Sequence, residues 1–113
     1  MLLEQDRIRL QHMREAATEA LGYAEGRGRR DLDSDRQLVH SLVRCIEIIG
    51  EAAANVSPEC RGQHPEIPWP KIVAMRNRLI HAYFDVNLDI LWRTTTQELP
   101  PLVGLLDRML ADT

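Results

Sequence analysis

Aromatic side chains make up 4% of this 113-residue chain, and that scarcity is the first constraint on its fold. The core has to be built from Leu, Ile, Val and Ala, which suits helix packing better than a sheet sandwich, because strands favour aromatic and β-branched residues. Strand signals are missing too: no stretch alternates polar and apolar residues beside an Asn-Gly or Asp-Gly turn. Only two cysteines are present, Cys45 and Cys60, and they lack any paired metal-ligand spacing. The N-terminus, Met1-Leu2-Leu3-Glu4-Gln5-Asp6, turns acidic too early for a secretory signal, so reduced thiols and a cytoplasmic protein are expected. No apolar run has the length needed to span a bilayer. The net charge of -3 argues against coating nucleic acid by bulk electrostatics. It leaves room for a local basic pocket: Arg27, Arg29 and Arg30 cluster in one segment, Arg76 and Arg78 in another.

What is present is helical periodicity. Hydrophobic residues reach 44%, enough for one domain covering residues 1–113 to bury a core without metals or crosslinks. A first helix is predicted from about Leu3 to Ala24, with Ile8, Leu10, Met13, Ala17, Ala20 and Leu21 on its apolar stripe. Gly26 and Gly28 end it, and Gly26 to Asp33 reads as a polar, flexible loop carrying three arginines. Ser34 followed by Gln37 reads as a capping box that opens a second helix. There Leu38, Leu42, Ile46, Ile49, Ala53 and Val56 recur at spacings of three and four. The flanks of this helix are also apolar, which predicts the core on one side and a second subunit on the other. Ser57-Pro58 suggests a short helical turn, and Arg61 to Pro68 a loop. Pro68-Trp69-Pro70 opens a third helix, bearing Ile72, Met75 and Leu79, that ends near Ala82 to Asp85. Asp85 or Asn87 caps a fourth helix with Leu88, Leu91 and Trp92, which Pro100-Pro101 must break or kink before a last amphipathic stretch. The expected fold is all-α: a four- to five-helix bundle of up-down topology with a kinked C-terminal helix.

The segment Met75 to Tyr83 concentrates chemistry. His81 is the one kind of side chain whose ordinary pKa lies near neutrality, which suits proton transfer. Arg76 offers a planar fork matched to phosphate oxygens. Attack of a ribose 2′-hydroxyl on the neighbouring phosphate needs those two functions and no metal. On a straight helix at ~100° per residue, Arg76 and Tyr83 lie within about 20° of each other, whereas Arg76 and His81 are about 140° apart. Asn77 and His81 are neighbours at the four-residue spacing. Three arrangements bring arginine and histidine together: an unwound last turn, side chains wrapping round, or a second subunit completing the site. The third is favoured by the two-sided second helix. Read in isolation, an arginine near a helix end is usually a surface residue, and a lone histidine is more often structural.

Resemblance shifts that balance. Arg76 to Tyr83 resembles the Arg-x-x-x-x-His-x-Tyr signature of HepT-like proteins in the HEPN superfamily. Cys45 to Ala54 is similar to that family's second-helix pattern. Pro65-x-Ile67-Pro68-Trp69 followed by Met75-Arg76-Asn77 resembles its approach to the third helix. Asp85-Val86, Leu91-Trp92 and Leu99-Pro100 resemble its C-terminal part, with Asn87 where an Asp often stands. The resemblance implies the toxin of a two-component toxin–antitoxin module: a homodimeric, metal-independent endoribonuclease with Arg76 and His81 as catalytic residues and Asn77 beside them. It further implies a cognate MntA-type nucleotidyltransferase antitoxin that adds AMP to Tyr83. Phosphate placed there would compete with RNA for Arg76.

Other groups offer weaker alternatives. Glu47 and Glu51, four apart, suit a di-metal bundle only with Glu-x-x-His pairs, and the chain has none. Neither metal nor cofactor is expected. Glu47 or Glu51 can instead pair with Arg76 or Arg44 and orient it. His12, His40 and His64 read as scattered, exposed or structural residues, and Trp69 and Trp92 as packing anchors. The rival function is a non-catalytic helical module that binds a nucleotide or a nucleotidyltransferase through the same Arg76 and Tyr83.

Overall fold

The computed structural model describes residues 2–82 and 85–111, with 81 and 82 described by backbone alone. Helix α1 (Glu4–Ala24) starts with Glu4 and Asp6 in its first turn, where carboxylates complement the positive end of the helix dipole. Asp6 is buried, and its carboxylate accepts the Ser57 backbone N–H at 2.8 Å and the Ser57 hydroxyl at 2.7 Å. Ser57 Oγ in turn accepts the Cys60 N–H at 3.2 Å, capping α3 (Pro58–Gln63), whose first position is proline. Beyond α1 the chain reverses at Gly26, whose φ of 73° is open to glycine and costly for other residues. Arg29–Asp33 then winds into a 3₁₀ turn, so the predicted open loop is folded. Its cations are largely committed. Arg27 pairs with Asp35 at 2.6 Å, and Arg29 with Asp89 at 2.6 Å and Asp33 at 3.1 Å.

Asp35, one residue beyond the predicted Ser34, is the cap of α2 (Arg36–Ala54): its Oδ1 accepts the Leu38 N–H at 3.0 Å. With Oδ2 held by Arg27, the carboxyl stays below its ordinary value. Leu42, Ile46, Ile49 and Ala53 are wholly buried along α2, facing Leu10, Met13, Ala17 and Ala20 of α1. Each large aliphatic buried this way contributes roughly 1.5–3 kcal/mol. The pair is antiparallel, since Asp6 reaches Ser57 just past the end of α2, while Tyr23 shares a cleft with Gln37 and Ser41 near its start.

The third helical segment differs from expectation. It bends at Ala74, giving α4 (Trp69–Val73) and α5 (Met75–Leu79), and ends three residues earlier than predicted. The Asn77 N–H donates to Ala74 O at 3.0 Å, a tight three-residue step that makes the bend. Trp69 is a packing anchor as expected, buried with its indole N–H on His64 O at 3.0 Å. After α5 the chain is extended. Strand β1 (Ile80–Ala82) pairs antiparallel with β2 (Asp85–Val86), Ile80 opposite Val86 and Ala82 opposite Asp85. Two partners on β2 thus match three residues on β1, leaving His81 as the extra, bulged position. The Asn87 N–H donates to Leu79 O at 2.6 Å, and its side chain caps α6 (Leu88–Arg93) by accepting the Ile90 N–H at 3.0 Å.

Pro100-Pro101 does not break the last helix. A π turn, Thr94–Glu98, links α6 to α7 (Leu99–Ala111), the Leu99 N–H reaching back to Thr94 O. Thr95 and Thr96 hydroxyls donate to the carbonyls of Leu91 and Trp92 at 2.9 and 2.8 Å. The prolines therefore fall in the first turn of α7, where a missing N–H and a bulky ring are tolerated. The architecture is an all-α bundle with a long, kinked C-terminal helix and one very short ribbon. Among the described residues no helix is long and apolar enough to cross a membrane.

Candidate active site

Arg76 occupies the first turn of α5. Its neighbours Met75 and Leu79 are buried against the core, which turns Arg76 outward. The Arg76 Nε donates to Glu47 Oε2 of α2 at 3.0 Å. The carboxylate side chain is 28% exposed and the guanidinium side chain 48%, so the pair sits at a rim rather than in the interior. With Nε engaged, the two terminal nitrogens have no partner among the described residues. That free edge is the two-pronged face that matches a pair of phosphate oxygens. Of the two pairings expected for Glu47, with Arg76 or Arg44, the structure makes the first. Glu51 stands elsewhere, beside Arg9 and His12.

The pair opens on a groove of about 650 Å³ between α2 and the β1–β2 ribbon, with Val39, Val43, Ile80 and Val86 along its floor. Arg78 points away from it. Together with Lys71 it holds Glu98, at 3.1 and 3.2 Å. Burial pushes the Glu98 carboxyl up, but these two cations outweigh it and leave the group below its ordinary value. Two arginines two residues apart thus have separate employments: one braces the C-terminal helix, the other faces the groove.

The remaining predicted site residues stand as follows. Asn77 is exposed on α5, next to Arg76. His81 lies in β1 at the bulge; its side chain lies outside the described residues, as does Tyr83 altogether. Because α5 ends at Leu79, the helical angles expected between Arg76, Asn77, His81 and Tyr83 do not apply. The last turn is unwound, as in one of the three arrangements named above, while the position of the His81 imidazole relative to Arg76 lies outside the described residues. Bulges commonly re-aim a side chain beside a functional site. Ile80 and Val86, the ladder pair flanking that position, both line the groove that Arg76 faces.

Sequence reasoning missed Arg36 and His40, which line the same groove. Their signal was present: with Val43 and Glu47 they fall at spacings of four, three and four on α2, one helix face. Among the described residues, no group of three or more His, Cys, Asp or Glu side chains is arranged to hold a metal ion. Cys45 and Cys60 are free and buried, and burial pushes the Cys45 thiol up to about 11.

The structure is a helical domain with an arginine held by a carboxylate at the edge of an open groove, and sequence comparison gives the family. The Ribonuclease HepT-like family model matches residues 13–109, and the chain belongs to that family. It is 39% identical over 79 residues to "Probable ribonuclease HepT" of Thermococcus cleftensis, covering 70% of this chain and 72% of the relative. It is also 39% identical over 93 residues to a protein of Caldanaerobacter subterraneus subsp. tengcongensis named "Putative RNase", covering 82% and 83% respectively. No solved structure matches the chain.

Proposed function

We propose that this protein is the toxin of a toxin–antitoxin module and cleaves RNA without a metal ion. In this reading the ribose 2′-oxygen attacks the adjacent phosphorus and the bond to the 5′-oxygen breaks, leaving a cyclic phosphate and a free 5′-hydroxyl. His81 moves the proton, taking it from the 2′-hydroxyl or giving it to the leaving oxygen. The free edge of Arg76 binds the phosphoryl oxygens as charge builds on them. Glu47 fixes Arg76 by its Nε, and Asn77 stands beside it to hold the phosphate or the imidazole. The observation that carries the reading is the Arg76–Glu47 pair, set at the groove with both terminal nitrogens of Arg76 unpartnered among the described residues, in a member of a ribonuclease family.

The active form is a homodimer whose second subunit packs on the outer flank of α2, where Ile48 is only half-buried. A nucleotidyltransferase antitoxin of the MntA type silences it by adding AMP to Tyr83. There the tyrosine oxygen attacks the α-phosphorus of ATP and pyrophosphate leaves. The added phosphate then competes for Arg76.

Purified protein incubated with RNA and excess chelator tests the chemistry. Cleavage with cyclic phosphate ends, lost in Arg76→Ala and His81→Ala while helicity is kept, supports the proposal. Intact RNA alongside tight binding of a nucleotidyltransferase would replace it with a non-catalytic binding module.

A further inference from the structure

The groove beside Arg76 continues along α2, and its far end carries charge that the proposed chemistry does not use. Arg36 and His40 are exposed and line it together with Arg76 and Glu47. Neither has an ion-pair or hydrogen-bond partner among the described residues, although Arg27, Arg29 and Arg78 all do. Arg36 is the first residue of α2, where the helix dipole disfavours a cation. Its position is therefore not explained by helix stability, and among the described residues no carboxylate pairs with it.

Spacing gives these residues a use. Arg36 and Glu47 are eleven residues apart on one helix, a distance of about 16 Å, with His40 roughly a third of the way along. Between them the floor is aliphatic: Val39 and Val43 from α2, Ile80 and Val86 from the ribbon. A cation at each end and an apolar floor between is how a single-stranded polynucleotide is held, backbone on charge and base faces on apolar surface. Among the described residues Asp85 is the one further carboxylate at the groove, on the ribbon side. Its position leaves the α2 wall to the backbone.

We infer that Arg36 and His40 form a second phosphate subsite for RNA, two or three nucleotides from the phosphate that Arg76 engages. The inference rests on the ribonuclease reading for the identity of the strand, and it sets the length and direction of the bound RNA. The strand runs along α2, from the Arg76–Glu47 pair toward the helix start.

The test is binding of a non-cleavable 2′-O-methyl 12-mer, followed by fluorescence anisotropy at several salt concentrations. Arg36→Gln should weaken binding roughly tenfold and flatten the plot of log affinity against log salt by about 0.7, one phosphate contact on a single strand. His40→Gln should weaken binding by a smaller factor. Arg93→Gln, the same charge change on exposed α6, should leave affinity and slope within error of the parent. Equal losses in Arg36→Gln and Arg93→Gln, or none in either, would overturn the subsite. Cleavage of ordinary RNA by the parent protein is scored in parallel. Failure there with the Arg36 effect intact removes the ribonuclease reading but not the subsite, and the converse removes only the subsite.

Discussion

Removing the Glu47 carboxylate separates what the Arg76–Glu47 pair contributes to folding from what it contributes to chemistry. The two side chains are 28% and 48% exposed, so the 3.0 Å contact lies in a high-dielectric rim. An ion pair there is worth about 0–1 kcal/mol, which for a domain of this size moves Tm by no more than about 5 °C. Catalysis should respond far more. Losing one preorganised donor to developing charge costs about 10²–10³ in kcat, the effect expected of Arg76→Ala. In Glu47→Ala the guanidinium remains but roams, and a loss of about 10–10² is expected, because small displacements at a reacting centre are expensive. If Glu47 acts only through Arg76, the double variant is no slower than Arg76→Ala alone. The assay is single-turnover cleavage of a labelled oligoribonucleotide, with circular dichroism to confirm the fold. Fully additive effects in the double variant, or unchanged kcat in Glu47→Ala, would refute the bracing role.

Three other expectations follow from the packing. A methyl at Gly50 would meet the Ile72 and Val73 carbonyl oxygens at 3.5 Å, ordinary contact. Gly50→Ala should therefore gain about 0.5–1 kcal/mol from helix propensity in thermal melts, and a lowered Tm would contradict the spacing given. Gly50→Leu should instead push α4 and α5 away and lose both stability and cleavage. Glu98 is held below the ordinary glutamate value of 4.5, so its stabilisation is full above that pH and is lost as pH falls through the lowered value. The Tm gap between the parent and Glu98→Gln should accordingly be present at neutral pH and close on acidification, and a gap that widened in acid would reverse the sign. With Cys45 raised from 9.0 to about 11, its thiolate at mild alkaline pH is about a hundredfold scarcer than that of a free thiol. Alkylation in the native state should be slower by at least that factor and rapid in denaturant; fast native labelling would show the site open.

Periodicity was legible wherever the core dictated it. Leu42, Ile46 and Ile49 announce the buried face of α2 because nothing but helix geometry aligns them. The cap was misplaced by one residue because Ser34 and Asp35 are chemically equivalent candidates, and Arg27, eight residues back, decides between them. The β1–β2 ribbon was invisible. Ile80-His81-Ala82 is too short for its alternation to signal a strand, and the bond that ends α5 comes from Asn87, so the decisive partner is tertiary. Pro100-Pro101 reads as a break or a kink; the helix is kinked but unbroken, because the wider turn at Thr94–Glu98 places the prolines in the first turn of α7. Within the site, Arg76 and Glu47 were readable as candidates from the local motif and its family likeness. Arg36 and His40 share a helix face that their spacing shows, but that this face lines a groove depends on the ribbon, which begins forty or more residues further on.

The ribbon that carries His81 has consequences for how the protein fails. Three residues against two, with an irregular register, make a platform that is marginal by itself and depends on Asn87 and a few aliphatic contacts. The α1–α2 pair beneath is sewn together by a continuous row of side chains without solvent access. Mild heat or urea should thus silence the molecule while its spectrum is still that of the intact bundle, and cooling should restore it. On the ribonuclease reading proposed above, such a protein is switched off by one segment of its fold while the rest stays standing.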